Sequence, residues 1–204
     1  VTTNKIRIIS RNQQMMRLDH EITTGLGYED ENRIILAVQH YIAQEKPQVV
    51  ILEDYNKGVL TELVIQKVID LCRHHHIIVA VDPKRNPFFT YKGADISKPN
   101  LKEALEGLNI IGSEVNEKLL RDIHGALVEK LEHRISFITL SEKGVFYMQQ
   151  NEAAVVPSHI RNIADVSGAG DTVIAVASLV YAATKNVKLM AEIANIAGGL
   201  VCEI

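Results

Sequence analysis

The residues with the clearest chemical potential lie together near the end of the chain, in the stretch Asp165-Val166-Ser167-Gly168-Ala169-Gly170-Asp171-Thr172. Its small residues allow a tight turn in which successive N–H groups face one point, and the apolar helical pattern that follows adds a positive macrodipole end. This predicts an anion-binding turn with the Asp171 carboxylate beside it. A carboxylate next to a bound phosphate is typical of a base that takes a proton from an attacking hydroxyl. The alternative is that Asp171 is only a favourable charge in the first turn of a helix.

Strands and helices must position these residues, and the two alternate along most of the chain. Apolar and β-branched runs predict strands over residues 5–10, 15–19, 49–52, 77–81, 94–97, 135–140, 145–148 and 153–156. Apolar stripes predict helices over residues 29–44, 60–74, 101–106, 114–132 and 172–184, with a last helix from about 187. We therefore expect a three-layer α/β fold with a mostly parallel central sheet and helices on both faces.

Polar clusters follow several of the predicted strands, at residues 53–58, 82–84, 98–103 and 139–144. In open parallel sheets ligands bind beyond the carboxyl ends of the strands, so these clusters predict one binding edge. Other nucleotide signatures are absent: the nearest match to a P-loop, residues 107–113, lacks the lysine. His74-His75-His76 do not predict a metal site, because adjacent helical positions do not share a face.

The composition is that of one globular domain. The chain has 204 residues, 47% hydrophobic and 23% charged, and its formal net charge of −3 gives no support for binding nucleic acid or an anionic membrane. Cys72 and Cys202 lie in apolar helical patterns, which predicts buried thiols in a reducing compartment. No apolar run could cross a bilayer and no signal peptide opens the chain, so we expect a cytoplasmic protein.

Both ends have the character of a chain cut from a longer one. The first residue is Val1 rather than Met, a strand pattern begins at Lys5, and residues 197–204 stop within an apolar helical pattern. We expect residues 1–204 to form a single, partial domain.

The motifs together resemble those of the ribokinase-type (PfkB) carbohydrate kinases. Residues 165–172 match the family signature D-x-[ST]-G-A-G-D-[ST], and residues 100–103 match its N-x-x-E motif. Residues 139–144 resemble its T-x-G-x-x-G nucleotide loop, with Ser141 in place of the first glycine. Residues 9–19, 54–58 and 82–84 are most similar to the branch that phosphorylates D-glycero-β-D-manno-heptose 7-phosphate, often as part of a bifunctional ADP-heptose synthesis protein. We expect the family's N-terminal part, including its β-sheet lid, to be missing.

The resemblance implies roles for the matched residues. Asp171 would be the catalytic base, and the amides of Gly168, Ala169 and Gly170 would hold the transferring phosphate. The residues implied to bind Mg²⁺–ATP are Asn100, Leu101, Lys102, Glu103, Thr139, Ser141 and Gly144. Glu103 would reach Mg²⁺ through water, and Asp165 would lie near a monovalent cation, although a turn cap is an equal reading for Asp165.

Several of these residues have simpler explanations. Asn100 followed by Glu103 is also a helix capping pattern, and residues 139–144 could form an ordinary turn between strands. Three cationic residues could each be an ordinary surface charge: Lys57, Lys84 and Arg11. Together at one edge of the sheet, they favour a substrate that already carries phosphate. Asp54 is a further candidate for contact with sugar hydroxyls.

We therefore expect an ATP-dependent kinase that phosphorylates a heptose phosphate at its anomeric hydroxyl, for ADP-heptose and lipopolysaccharide biosynthesis. Two alternatives remain open: a shortened domain that binds nucleotide without catalysis, and a kinase for another sugar or a nucleoside. The expected partners are the sugar phosphate and ATP. A homodimer is a further expectation, although the lid through which relatives often dimerise is missing.

Overall fold

The computed structural model describes residues 3–10, 13–84, 88–111, 114–158 and 166–203. These residues form an antiparallel hairpin and a six-stranded sheet with helices on both faces. The hairpin strands are β1 Asn4–Ser10 and β2 Gln13–His20. The sheet strands are β3 Val49–Glu53, β4 Ile78–Asp82, β5 Ile96–Ser97, β6 Ile135–Thr139, β7 Val145–Gln149 and β8 Glu152–Val156. The helices are α1 Tyr28–Glu45, α2 Glu62–His74, α3 Leu101–Gly107, α4 Glu117–Leu131, α5 Ala169–Thr184 and α6 Val187–Val201.

The strand order of the large sheet is β3-β4-β5-β6-β7-β8. Strands β3 to β6 pair in parallel, and β7 and β8 add to the edge in antiparallel fashion. Four successive parallel strands place their carboxyl ends along one edge, where the polar clusters lie. This arrangement confirms the predicted three-layer α/β class with a mostly parallel sheet.

Two apolar cores lie on opposite faces of the sheet, because successive strand residues point to opposite sides. In β4, Val79 and Val81 pack into the core that contains α2 and α4, whereas Ile78 and Ala80 pack into the core that contains α5 and α6. Both faces of a central strand such as β4 are therefore covered by apolar side chains, which explains the continuous apolar runs in the sequence.

The hairpin differs from the rest of the chain in its exposure. It forms a sheet of its own, and both of its strands are exposed wherever side chains are described. Apolar residues pair across it, with Ile6 opposite Leu18 and Ile8 opposite Met16. The sequence predicted these strands but not their separation from the central sheet.

Some boundaries and burial states differ from the sequence predictions. Strand β5 has only two residues where 94–97 were expected. Helix α5 begins at Ala169 rather than at residue 172, so the glycine turn forms its first turn. Cys72 is buried as predicted, whereas Cys202 is partly exposed because it follows the last turn of α6. Among the described residues, no helix is both long and apolar enough to cross a membrane.

A buried polar cluster joins α4 to β6. The hydroxyl Oγ of Ser136 lies 2.8 Å from Nδ1 of His124 and 2.7 Å from Nε2 of His133. A serine hydroxyl donates once, so it bonds both rings well only while they supply one acceptor and one donor. Burial lowers the pKa of His124, and burial together with the neighbouring His124 lowers the pKa of His133 to about 4.

This cluster predicts acid sensitivity. The unfolded His133 takes up a proton near its ordinary pKa of 6.5, whereas the folded residue does so only near 4. The free energy of unfolding is therefore unaffected above pH 6.5 and falls by about 3 kcal/mol from this group as the pH drops toward 4. We expect His133→Gln to flatten that slope in urea unfolding at pH 7.5, 6 and 5. Substitution of the exposed His40 by Gln should leave the slope unchanged, and an unchanged slope in His133→Gln would contradict the assignment.

Candidate active site

The site lies at the carboxyl edge of the parallel strands. Glu53 is the last residue of β3, Asp82 is the last residue of β4, and Lys98 directly follows β5. Asp171 reaches the same point from the first turn of α5, and carboxylate oxygens of Glu53, Asp82 and Asp171 lie within 4.8 Å of one another. Residues far apart in sequence therefore meet because each follows a neighbouring strand or begins the helix packed behind them.

The glycine turn opens helix α5. Gly168 is the residue before the helix and has a φ of 79°, a conformation that L side chains rarely adopt. The N–H of Ala169 donates to the carbonyl of Val166 at 3.3 Å, while the next amides of the first turn have no acceptor within the helix. Among the residues that the structure describes, nothing lies within 4 Å of a Cβ placed on Gly168, so that side of the turn is open. These features suit an anionic ligand.

Asp171 is held by Tyr55 and lies beside Glu53. The hydroxyl of Tyr55 donates to Oδ2 of Asp171 at 2.6 Å, and a carboxyl oxygen of Glu53 lies within 4.8 Å of the same carboxylate. The bond from Tyr55 is the main cause that lowers the pKa of Asp171, and Glu53, Lys98 and Lys84 lower it further, although partial burial acts in the opposite sense. Asp171 is therefore ionised at neutral pH and oriented from one side.

The pKa values of Tyr55 and Glu53 shift in the opposite direction to that of Asp171. The hydrogen bond to Asp171, together with burial, raises the pKa of Tyr55 to about 12. Burial raises the pKa of Glu53 to about 7, helped by its hydrogen bond to Asp171 and by repulsion from Asp171 and Asp82, while Lys98 partly opposes the shift. Glu53 therefore exchanges its proton near neutral pH.

Lys98 is a buried cation beside the glycine turn. Its side chain is only 4% exposed, and Nζ lies 3.0 Å from Oδ2 of Asp82. A Cβ placed on Gly170 would lie 3.8 Å from the same Nζ. An ammonium ion buried this deeply requires a carboxylate partner, so Asp82 and Lys98 are mutually necessary.

A second lysine extends this network. Nζ of Lys84 lies 3.6 Å from Oδ1 of Asp82 and 3.3 Å from Oε1 of Glu103. Burial lowers the pKa of Lys84, but attraction to Asp82 and Glu103 outweighs that effect and the net pKa is raised. Lys84 therefore stays charged and connects the strand edge to the start of α3.

Asn100 and Glu103 form a complete capping box at α3. Oδ1 of Asn100 accepts from the N–H of Glu103, and Oε2 of Glu103 accepts from the N–H of Asn100, both at 2.8 Å. The capping explanation of this pair is thus confirmed. Oε1 of Glu103 remains turned toward Lys84.

The other residues of the predicted nucleotide region surround this cap. A parallel bridge joins Asn100 to Thr139, which brings the 139–144 turn next to α3. Ser141 has a φ of 54°, and Gly144 has a φ of 96° with no room for a Cβ, which would lie 2.0 Å from the carbonyl oxygen of Val156. Two residues of α3 point elsewhere. Leu101 packs against the core, and the side chain of Lys102 is exposed and pairs with Glu106.

The predicted substrate residues are not all brought together. Asp54 is 4% exposed and accepts from the hydroxyl of Tyr91 at 2.7 Å and from the N–H of Asn56 at 2.6 Å, which favours a structural role over contact with sugar. Lys57 pairs with Glu21, which follows the hairpin, whereas Lys84 pairs with Glu103 in the first turn of α3. Arg11 and Asp165 lie outside the described residues.

A cleft of about 400 Å³ lies beside the end of β3. Its lining includes Ile51, Leu52, Glu53, Asp54, Tyr55, Lys57, Val59 and Leu60. Since Tyr55 and Glu53 also contact Asp171, the cleft adjoins the candidate base. The hairpin borders the same region, where Nζ of Lys5 lies 5.9 Å from the centre of the Tyr55 ring.

Carboxylates that could bind a divalent cation lie on both sides of Lys84, Asp82 on one side and Glu103 on the other. Carboxylate oxygens suit hard cations such as Mg²⁺. The cluster of Glu53, Asp82 and Asp171 already contacts the ammonium groups of Lys98 and Lys84, and the pKa of Glu53 is raised to about 7, so we assign no metal to it. Glu103 is the more suitable carboxylate, because it lies at the predicted nucleotide side.

Sequence reasoning did not single out Glu53, Tyr55, Asp82 or Lys98, which surround Asp171. The available signal was the position of each at or just after a predicted strand, within clusters already assigned to the binding edge. Residue type alone favoured their neighbours Asp54 and Lys57.

Several solved structures have a similar fold. Phosphofructokinase-2 from Escherichia coli in complex with potassium matches with a TM-score of 0.77 at 14% identity, over 93% of this chain and 61% of that one. Ribokinase from Arabidopsis thaliana complexed with ribose and ATP matches with a TM-score of 0.69 at 15% identity, over 95% and 61%. At these identities the likeness shows a shared fold alone.

Curated relatives are closer in sequence. "Bifunctional protein HldE" of Aliarcobacter butzleri is 36% identical over 202 residues, which are 98% of this chain and 41% of the relative. The protein of the same name from Helicobacter pylori is 34% identical over 203 residues, again 98% of this chain, and 42% of the relative. The chain thus spans about two fifths of the length of the curated relatives it matches.

The family comparison covers most of the sequence. The profile described as pfkB family carbohydrate kinase matches residues 17–203, from within the hairpin to the end of α6. The chain therefore belongs to the pfkB family of carbohydrate kinases.

Proposed function

We propose that this chain is an ATP-dependent kinase domain that phosphorylates a sugar phosphate, with D-glycero-β-D-manno-heptose 7-phosphate as the substrate. The observation that carries the proposal is the position of Asp171, at an open glycine turn and beside the buried ammonium of Lys98. Family membership and the HldE relatives support it. The product would be a heptose bisphosphate for ADP-heptose and lipopolysaccharide core biosynthesis.

In this proposal the anomeric hydroxyl attacks the γ-phosphorus of ATP. The new O–P bond forms as the bond to the ADP oxygen breaks, and the hydroxyl proton passes to Asp171. A carboxylate with a lowered pKa is a weak base, but phosphoryl transfer has a loose transition state in which the proton moves late and positioning matters more. The amides of Gly168, Ala169 and Gly170 and the ammonium group of Lys98 would stabilise the charge on the transferring phosphoryl group.

ATP would bind near the start of α3 and the 139–144 turn. The bridge between Asn100 and Thr139 supports this placement, because it joins two separate predicted nucleotide motifs. Mg²⁺ would neutralise phosphate charge when bound, with Glu103 acting through a water molecule. The potassium named for E. coli phosphofructokinase-2 supports a monovalent cation as a further cofactor, with Asp165 as the candidate residue.

The sugar phosphate would enter the cleft beside β3. Lys57 lines this cleft and supplies a cation for the phosphate already on the substrate, releasing Glu21 on binding. Lys84, with its partners at the nucleotide side, would instead face the phosphates of ATP. A homodimer stays a prediction.

A second candidate function is nucleotide binding without catalysis. It is favoured by the site itself, because the glycine turn of α5 and the bridge between Asn100 and Thr139 could hold Mg–ATP without a catalytic base. Calorimetry with Mg–ATP and an ADP-release assay with heptose 7-phosphate separate the two. Binding with turnover supports the kinase, binding without turnover supports the second function, and the absence of binding contradicts both.

The base assignment predicts the effect of Asp171→Asn. The amide keeps the shape and the hydrogen bond from Tyr55 but cannot accept the proton, so we expect kcat to fall by about 10²- to 10⁴-fold. The measurement is ADP release at saturating substrates, with Asp70→Asn on the exposed face of α2 as the control. Full turnover in Asp171→Asn would rule out this base.

The magnesium assignment predicts the effect of Glu103→Gln. Glutamine can still complete the capping box, so the melting temperature should be nearly unchanged. The loss of the carboxylate charge should weaken Mg–ATP binding about 10-fold, as seen for residues that act on a metal through water. Calorimetry at fixed ATP and varied Mg²⁺ measures this, with Glu129→Gln as the control. An affinity of Glu103→Gln for Mg–ATP equal to that of the native protein would contradict the assignment.

The substrate assignment predicts the effect of Lys57→Gln. Loss of a charged hydrogen bond to the substrate phosphate should raise KM for heptose 7-phosphate about 10-fold and leave KM for ATP unchanged. Lys67→Gln on α2 is the control. A panel that includes ribose and adenosine tests the substrate class, and preference for either over the sugar phosphate would contradict the proposal.

A further inference from the structure

The environment of Glu53 poses a problem of charge balance. Three carboxyl groups, those of Glu53, Asp82 and Asp171, offer oxygens within 4.8 Å of one another. The cations within this network are Lys98, at 3.0 Å from Asp82, and Lys84, at 3.6 Å from Asp82. Lys84 also pairs with Glu103, so the two ammonium ions cannot balance all of these carboxylates, and one carboxyl group is favoured in its neutral form.

The contact between the carboxyl groups of Glu53 and Asp171 indicates where the proton lies. Two ionised carboxylates cannot bond to each other, because both only accept. Asp171 already accepts from the hydroxyl of Tyr55, and that bond favours its ionised form. Within the described part of the chain, Oε1 of Glu53 is buried with no hydrogen-bond partner, a position that suits a neutral carbonyl oxygen better than a charged one. Glu53 is therefore the donor and Asp171 the acceptor.

The groups that face Glu53 come from every neighbouring element. Asp171 of α5 and Asp82 of β4 repel its negative form, and Lys98 after β5 attracts it. The shift of the Glu53 pKa to about 7 shows that burial and the two carboxylates outweigh the lysine. The proton is thus present below neutral pH and is lost as the pH rises above it.

We propose that Glu53 is a positioning residue for the base, holding the single proton that its carboxyl group shares with Asp171 and thereby orienting Asp171 beside the glycine turn. The proposal rests on the proposed function for the role of Asp171, but the shared proton is a property of the protein alone. While the proton is present, the network beside the turn carries no excess charge from Glu53. When it leaves, one more negative charge stands beside the place where phosphate would bind, so the affinity for Mg–ATP should fall.

The shared proton can be tested without activity. Side-chain carboxyl ¹³C NMR of the glutamate-labelled protein should show one glutamate with a midpoint near pH 7 that is absent from the Glu53→Gln spectrum. In Asp171→Asn the same resonance should shift by about one pH unit or more toward the ordinary glutamate value, because the adjacent charge is gone. An ordinary midpoint for Glu53, or one that Asp171→Asn leaves in place, would overturn the proposal.

The positioning role is tested by binding of Mg–ATP at pH 6 and pH 8. Between these values the native protein should lose about tenfold more affinity than Glu53→Gln, whose amide still donates to Asp171 but does not titrate. Ligand titration affects both proteins equally, so their ratio isolates Glu53. Glu62→Gln, at the exposed start of α2, should behave as the native protein, and equal pH dependence in Glu53→Gln would overturn the role. If no variant binds Mg–ATP, the proposed function fails, while the NMR titration still decides whether the proton is shared.

Discussion

The buried ion pair of Lys98 and Asp82 is the interaction on which the site depends. A lysine with 4% exposure is stable only beside a carboxylate, and the 3.0 Å contact to Asp82 supplies it. Strand β5 ends at Ser97, and the backbone N–H of Lys98 donates to the carbonyl of Val81, which places Lys98 beside the end of β4. The pair therefore fixes the relative position of two strand ends before any ligand binds.

From this pair, charge interactions extend in two directions and link Glu103, in the first turn of α3, to Asp171. The network contains Glu103, Lys84, Asp82, Lys98, Glu53 and Asp171. Partial exclusion of water strengthens each of these interactions, so a change of charge at Glu103 affects the electrostatic environment of Asp171. A phosphate placed at the glycine turn would compete with Asp82 for Lys98. Protonation of Glu53 removes one of the negative charges that oppose the anion, so protonation and anion binding favour each other.

The sequence was informative about elements and much less so about which side chains meet. Apolar periodicity predicted the strands and helices, and the rule of parallel sheets predicted the binding edge. Strands buried on both faces have no alternation of polar and apolar residues, so the direction of each side chain after them could not be read. For this reason Asp54 was favoured, whereas it is buried against Tyr91 and its neighbour Glu53 contacts Asp171. The separation of the hairpin likewise depends on tertiary pairing that no local pattern encodes.

The capping box shows why a local folding role and a site role need not compete. One oxygen of Glu103 closes the cap of α3, and this bond holds the side chain in a single orientation. The second oxygen, Oε1, is thereby directed at Lys84 and the strand edge. A free surface glutamate would lose rotamer entropy on ordering around a metal-bound water, whereas a capped one has already lost it during folding. The same bond that begins the helix therefore preorganises the carboxylate that we assign to Mg²⁺–ATP.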